Sequence, residues 1–526
     1  MKRDHIKREA FWNWIGLPCC FFLLVTILLT SPAILHLRDG VLHPADPLLN
    51  AWILGWDAHA LRTAPLDLYQ ANGFYPYADT LAYSETLLGQ AIFTTPLIWM
   101  TDNPILAVNL AWIASFVVGG MGAYALAYEY TGARLPSLVA GMVFAFNAFR
   151  FAHLFHLQIL TAQGFPIFLL FLKRALENNR WRNWLGVIIS FNLQILSCYY
   201  YGLFIALVFG IFIVLWWFLR RPRLTWAYLT KLGIFLLITL VIQIPLSLPY
   251  FEISQNMGFE RSLEDAVLGG ADLTDFITHT PENRLYGDIS ARFRGKGWWE
   301  HIMFPGAVAL TLALIAGITR FKRHRDGKII FTIIALTGFI LSLGPELRFN
   351  DRTIWEPLPY RLFYEYVPGF RAIRQPARLH ILTLTGLSFL AGLGALQITK
   401  LLQNTKWRQI SMVVLLILTG IEVLEIPLDF MTVPLSDEIP DVYQWLQAES
   451  IQGPLLELPI RMDVGTTESP RLYYSTFHWK RLINGYGGFI PPVYGHFLFF
   501  DREFPDQPYP WIVGLGTRYV ILHRAE

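Results

Sequence analysis

The side chains whose types and spacing suit group-transfer chemistry beside a membrane are Asp46, Glu85, His153, His156, Gln158, Arg371, Arg374 and Arg378. Asp46 stands in His43-Pro-Ala-Asp46-Pro-Leu-Leu-Asn50, where a helix is expected to begin. Asp before Pro is a common N-cap and N1 pair. A carboxylate fixed there, just above the lipid headgroups, is also placed to act as a general base. Glu85, in Tyr83-Ser-Glu85-Thr-Leu-Leu-Gly89, precedes an apolar stretch that runs to Pro96. It reads as a first-turn acid favoured by the helix dipole, or as a second carboxylate that positions a substrate or a cation.

His153 and His156 lie three apart in Arg150-Phe-Ala-His153-Leu-Phe-His156-Leu-Gln158, an expected outer turn between two spans. Ionisable groups at membrane depth are costly and raise a functional hypothesis. With Gln158 they line an aqueous cavity, or else they bond to neighbouring loops. Two histidines without a third ligand are a weak metal motif. The third cluster is Val367-Pro-Gly-Phe-Arg371-Ala-Ile-Arg374-Gln-Pro376-Ala-Arg378-Leu-His380. Pro376 suits the first turn of a helix, whose free N–H groups attract anions, and arginine adds a planar fork for phosphate. Snorkelling to headgroups accounts for one such arginine easily; three outside the bilayer fit a phosphate site better.

The rest of the chain is built to hold these residues at a bilayer. Of 526 residues, 54% are hydrophobic and 15% charged, against about 25% charged in soluble proteins. A net charge of +3 gives no nucleic-acid footprint. Cys19, Cys20 and Cys198 all lie in apolar segments, so no disulfide framework or cysteine-pair metal site is present. Eleven segments approach the ~20 apolar residues of a spanning helix: 11–36, 104–128, 135–149, 157–173, 183–198, 200–219, 229–250, 303–320, 329–345, 379–399 and 409–428. After Lys2, Arg3, Lys7 and Arg8, the first reads as an uncleaved signal anchor.

Basic residues set the orientation through the positive-inside rule. Arg134, Lys173 to Arg182, Arg220 to Lys231, Arg320 to Lys328, and Lys400 to Arg408 fall in alternate loops. The N-terminus is therefore expected in the cytoplasm and the C-terminal tail outside, in an inner (plasma) membrane. The outer side then holds the loop 38–100, loops near 251–302 and 346–378, and the tail. Leu49, Trp52, Ile53, Trp56 and Ala60 recur at helical spacing, which predicts a helix along the membrane surface with Asp57 and His59 solvated. Asp79 reads as a turn residue. In the tail, Pro440–Ala448 and Thr467–Lys480 read as helices and Pro454–Leu458 and Tyr519–His523 as strands. The expectation is an all-α polytopic membrane module, 1–432, followed by a small external α/β domain, 433–526.

With these residues in view, the chain resembles the GT-C superfamily of integral-membrane glycosyltransferases, especially bacterial members near the protein-mannosyltransferase-like families. The likeness is carried by Asp46-Pro-Leu-Leu-Asn50 with Trp56, Tyr83-Ser-Glu85 with Gly89, His153 to Gln158, Pro368-Gly-Phe-Arg371-Ala-Ile-Arg374 with Pro376, and Trp479 to Tyr486. The resemblance implies a polyprenyl-phosphate-linked sugar donor and an early acidic base, by position Asp46. It implies inverting transfer of a hexosyl or pentosyl group to a hydroxyl of a glycan, lipid or protein at the outer face. Arg371, Arg374 and Arg378 would hold the lipid phosphate; Glu85 would position the acceptor; His153, His156 and Gln158 would line the cavity. The chain departs from the family where an Asp-Glu pair is usual, having Asp-Pro, and Trp298-Trp299-Glu300 is not the Trp-Trp-Asp motif of oligosaccharyltransferases. Acceptor and cofactor, including a divalent cation, stay open. The other readings are a lipid or polysaccharide transporter, for which Asn192, Gln194 and Gln243 leave room, and a non-catalytic envelope protein of the same fold.

Overall fold

Backbone groups have no water to bond within hydrocarbon, so long apolar segments fold as helices. A computed structural model describes residues 15–222, 225–258, 260–292, 299–450, 452–461, 463–492, 494–495 and 508–524. The basic start of the chain, the first residues of the first expected span, Arg223 and Trp298 lie outside the described residues.

Every expected span carries a helix. The main helices are α1 (Leu17–Leu29), α2 (Asp46–Thr63), α3 (Leu88–Thr101), α4 (Pro104–Thr131), α5 (Arg134–Ala145), α6 (Gly164–Asn178), α7 (Trp181–Ser197), α8 (Tyr199–Arg220), α9 (Trp226–Met257), α10 (Ala307–Ile318), α11 (Arg325–Ser342), α12 (His380–Leu401), α13 (Thr405–Ile421), α14 (Asp441–Ala448) and α15 (Val464–Ser475). Among the described residues, six stretches are long and apolar enough to cross a bilayer: Pro104–Thr131, Arg134–Ala152, Leu157–Asn178, Tyr199–Arg220, Trp226–Met257 and Pro376–Leu401. The chain is a multi-pass membrane protein. The helices α1, α7, α10 and α13 are shorter, and α11 opens with Arg325, Asp326 and Lys328. On α9, Leu236, Leu237, Leu240, Val241, Ile244 and Leu248 are exposed, the face a lipid-contacting helix presents.

Sheet structure is slight. Among the described residues, the strands β1 (Gly40–Val41), β2 (Leu347–Phe349), β3 (Arg352–Trp355), β4 (Met431–Thr432), β5 (Leu455–Leu458) and β6 (Tyr519–Leu522) form three two-stranded sheets. The antiparallel pair β1·β4 ties the first loop to the start of the tail, with Gly40 opposite Thr432. In the tail β5 and β6 run parallel, Leu455 opposite Tyr519. The helix expected over Thr467–Lys480 begins at Val464 and stops at Ser475, before Trp479 takes a left-handed φ of 53°.

The helix α2 corrects an expectation. Leu49, Trp52, Ile53, Trp56 and Ala60 are buried, but so are Leu48, Asn50, Leu54 and Asp57 on the other faces. It is enclosed from several sides: α15 and the turn after it pack on the Trp52 and Gly55 side, and α3 and α4 pack on the side that was expected to face water. Trp52 and Trp56 share one apolar core with Leu446, Leu456, Tyr473 and Leu482 of the tail. Asp57 is not solvated: it is fully buried with no hydrogen-bond partner, and burial pushes its carboxyl well above the ordinary range. His59 is half-buried and stacks on Trp479, with ring centroids 4.3 Å apart.

Candidate active site

Three loops meet above the helices. Asp46 is the first residue of α2 but not its cap: Ala45 holds that position, and no side chain bonds the free amides. Pro47 removes one amide that a cap would have satisfied, and the Asp46 carboxylate turns away. One oxygen accepts from the Tyr486 hydroxyl at 3.1 Å and the other lies 3.1 Å from His156 Nε2. Burial raises this carboxyl, but His156 and Tyr486 outweigh it and hold it below its ordinary value. Its partner Tyr486 is pushed up by burial and by the adjacent carboxylate.

Glu85 is not in the first turn of the helix that follows it, which starts at Leu88. At Gly89 a Cβ would come within 2.1 Å of Ser197 Oγ and 2.7 Å of the Leu193 carbonyl. The bare glycine lets α3 close onto α7 and carries Glu85 to the start of α8. There Glu85 accepts from the Tyr199 amide at 2.9 Å and from the Cys198 thiol at 3.6 Å. It caps a different helix from the one expected, still at a positive dipole end. Burial dominates and pushes its carboxyl up. Asp79, expected in a turn, is left-handed with φ 53° and accepts from Gln70 at 2.7 Å.

The short helix Ala148–Ala152 and the turn after it aim the two histidines at different carboxylates. His153 places Nδ1 2.7 Å from the Phe149 carbonyl and Nε2 2.9 Å from Glu300. Both neighbours are acceptors, and burial outweighs Glu300 to hold the ring below the ordinary histidine value. The His156 ring centroid lies 5.4 Å from that of His153. Its Nε2 faces Asp46, and its Nδ1 is buried without a partner.

The arginines separate. Arg378 grips Glu300 with Nε at 3.2 and 3.1 Å from the two oxygens and with its second amino group as well. Its guanidinium also lies 5.3 Å from the Tyr200 ring. Burial raises the Glu300 carboxyl, yet Arg378 and His153 carry it well below its usual range. Arg374 is exposed on the pocket wall, while Arg371 is exposed against Tyr364, 5.9 Å from its ring, outside the residues that line the pocket. The three arginines therefore do not converge. Arg378, one of the three arginines expected on the phosphate, is the one held in an ion pair. The first-turn amides are not all free either, since the Ala377 N–H donates to Gly269 at 3.0 Å.

Apart from His153, expected on the cavity but fully buried behind it, and Arg371, these groups line one pocket of about 730 Å³. Its polar end holds Asp46, Glu85, His156, Gln158, Glu300, Arg374 and Arg378, joined by Arg261. Its other end runs between α7, α8 and α9 past Ile195, Leu203, Ala206 and Gln243. The tail closes the mouth: Arg261 donates to the Gly488 carbonyl at 2.7 Å and lies 4.3 Å from the Phe489 ring. Among the described residues, no three His, Cys, Asp or Glu side chains gather as a metal-binding group. Glu300 and Arg261 escape sequence reasoning because neither stands in a spacing pattern that marks a site. Glu300 had one signal, an acid beside tryptophans, set aside for lacking a family motif.

No protein-family profile matches the chain, and no curated protein sequence does. Among solved structures it is similar to ArnT from Cupriavidus metallidurans bound to undecaprenyl phosphate, at 11% identity and a TM-score of 0.45, over 90% of this chain and 85% of that one. The apo state of the same protein aligns at 12% identity and a TM-score of 0.45, over 90% and 86%. The archaeal oligosaccharyltransferase AglB from Archaeoglobus fulgidus, in complex with an inhibitory peptide and a dolichol-phosphate, aligns at 12% identity and a TM-score of 0.43, over 97% and 70%. At these identities and scores the likeness assigns no residue a role.

Proposed function

We propose that the chain is a membrane glycosyltransferase of GT-C type, moving a sugar from a polyprenyl phosphate to an acceptor hydroxyl at the outer membrane face. The observation that carries this is one pocket lined by a carboxylate–imidazole pair, by arginines and by residues of α7, α8 and α9. Its lane between these helices follows α9 from Thr239 to Ser254, roughly 22 Å at 1.5 Å per residue. That length suits a hydrocarbon tail, with its phosphate at the arginine end.

Arg374 and Arg261 hold the donor phosphate, and Arg378 presents a charge oriented by Glu300. The acceptor hydroxyl loses its proton to the Asp46–His156 pair as its oxygen attacks the sugar's anomeric carbon. The bond from that carbon to the phosphate oxygen breaks, and the growing charge meets the arginines. A single displacement inverts the anomeric centre. Glu85, fixed on the amide end of α8, positions the acceptor. The segment from 433 onward, through Tyr486 to Phe489, shuts water from the mouth. The distribution of basic loops supports the external placement of this end.

Helix α9 favours one other reading. It contains Pro245 and Pro249, and Gln243 donates to Asn192 at 3.0 Å beside the lane, features of a lipid transporter. The test reconstitutes purified protein in nanodiscs with a panel of radiolabelled polyprenyl-phosphate sugars and a membrane extract from a strain lacking the gene. Label should move into a new product, and Asp46→Asn should abolish the transfer. Lipid translocation in vesicles without any transfer would replace the enzyme by the transporter.

A further inference from the structure

We propose that the seam between α7, α8 and α9 carries a second lipid site at its basic end, which takes one chain and the headgroup of an anionic phospholipid. One stripe of α9, at Leu229, Leu232, Phe235, Thr239, Gln243 and Ser247, faces this seam at three- and four-residue spacing. From Thr239 onward it lines the pocket already described. Before Phe235 it lines a separate cavity of about 350 Å³, shared with Trp184 of α7 and with Val214, Trp216 and Trp217 of α8. The rings of Phe191, Phe209 and Phe235 fall between the two on their helices. Phe191 lies 6.2 Å from Phe209 and 5.2 Å from Phe235, and Phe209 lies 5.3 Å from Phe235, centroid to centroid. Phe235 is fully buried. This ring cluster separates the outer lane from the basic-end cavity.

The lining names the chemistry of the occupant. Trp184 Nε1 donates to Asn179 Oδ1 at 3.0 Å, and the Tyr228 hydroxyl donates to the Leu176 carbonyl at 2.9 Å, so these lining groups have spent their polar atoms on the protein. What is left suits hydrocarbon. Val214, Trp217 and Leu229 are exposed along the lip, so the cavity opens sideways to the bilayer. Its rim is cationic. Lys231 Nζ lies 3.2 Å from the same Asn179 oxygen that takes Trp184, and 5.2 Å from the Trp181 ring. Arg221 is exposed beside Pro222, which lines the cavity. Arg220 is paired with Asp326, but among the described residues Arg221 and Lys231 have no carboxylate partner. Exposed Trp181 and Trp226 mark this end as a membrane interface. Basic pockets between spanning helices favour acidic headgroups, and the positive-inside rule assigns this end to the cytoplasmic leaflet, whose surface is negative. A zwitterionic lipid gains less there, because its own cation competes with Lys231 and Arg221.

Native mass spectrometry of the full chain tests the site, after delipidation in detergent and titration with dioleoyl phosphatidylglycerol or dioleoyl phosphatidylcholine. Wild type should retain one phosphatidylglycerol more tightly than the matched phosphatidylcholine, a comparison that needs no variant. Arg221→Gln combined with Lys231→Gln should weaken that lipid about 30-fold, at about fivefold per charge, while Lys231→Arg should hold it. Val214→Trp fills the cavity from its exposed lip and should abolish the single retained lipid. Lys322→Gln combined with Lys406→Gln, exposed basic residues of two other loops, should leave it unchanged. Equal affinity for the two lipids, an equal loss in that control pair, or retention by Val214→Trp overturns the site. Displacement of the retained lipid by a polyprenyl phosphate would join the cavity to the outer lane and overturn it as well. A dimer that forms as lipid leaves would give the groove to a second copy of the chain, also against the proposal. None of these measurements requires sugar transfer, so the lipid site is decided apart from the proposed reaction.

Discussion

Asp46 and Glu300 are both acids on the same pocket, both bonded to a histidine, and both held below the ordinary carboxyl range, yet they are built for different work. The Glu300 side chain is 7% exposed and clamped by a guanidinium that never releases its proton. The Asp46 side chain is 22% exposed and meets only an imidazole and a phenol, each able to exchange protons. A carboxylate locked to arginine orients charge; one shared with imidazole handles protons. The partner, more than burial or the direction of the pKa, distinguishes the two.

The largest expected effect breaks the proton-handling side. Asp46→Asn should cost on the order of 10²–10⁴-fold in transfer with expression and membrane insertion unchanged, measured as kcat in nanodiscs. On the clamped side the loss should appear in stability. Glu300→Ala leaves Arg378 buried without a counter-charge and should destabilise by about 3–5 kcal/mol, read from denaturant unfolding in detergent.

The pH dependence sharpens that contrast. Burial raises the Glu300 carboxyl, but Arg378 and His153 outweigh it, so its pKa is lower folded than unfolded. It then contributes stability above the unfolded carboxyl value of about 4, lost as pH falls through the folded value. The acid loss of stability should be shallower in Glu300→Gln than in wild type.

Smaller effects separate the arginines and the tyrosine. Arg374→Lys should weaken binding of the polyprenyl-phosphate sugar about tenfold by losing the planar fork, whereas Arg371→Lys should match wild type; equal losses would put Arg371 back on the phosphate. Tyr486→Phe removes one hydrogen bond to Asp46, worth about 0.5–1.5 kcal/mol. It should lower kcat severalfold and leave donor affinity intact, as isothermal titration would check.

Most of the helices were legible because apolar runs of spanning length leave the backbone few alternatives, and each expected segment carries one. Asp46, His156, Gln158, Glu85, Arg374 and Arg378 were also legible as residue types, and all line one pocket. Their pairings were not. Asp46 meets Tyr486 across 440 residues, and Arg378 meets Glu300 across 78. Asp57 and the far face of α2 were misread because exposure there depends on how α3 and α4 pack against it, which the periodicity of α2 alone does not carry.

The sequence by itself determined which segments are helical, which loops are rich in ionisable groups, and which of those are acids, imidazoles or guanidiniums. These follow from local composition and periodicity, which act over a few residues. Only the tertiary structure decided that Asp46 shares its charge with His156, that Glu300 claims Arg378, and that Arg371 stands aside. Electrostatic partnership depends on distances of about 3 Å, and those are set by how distant helices pack.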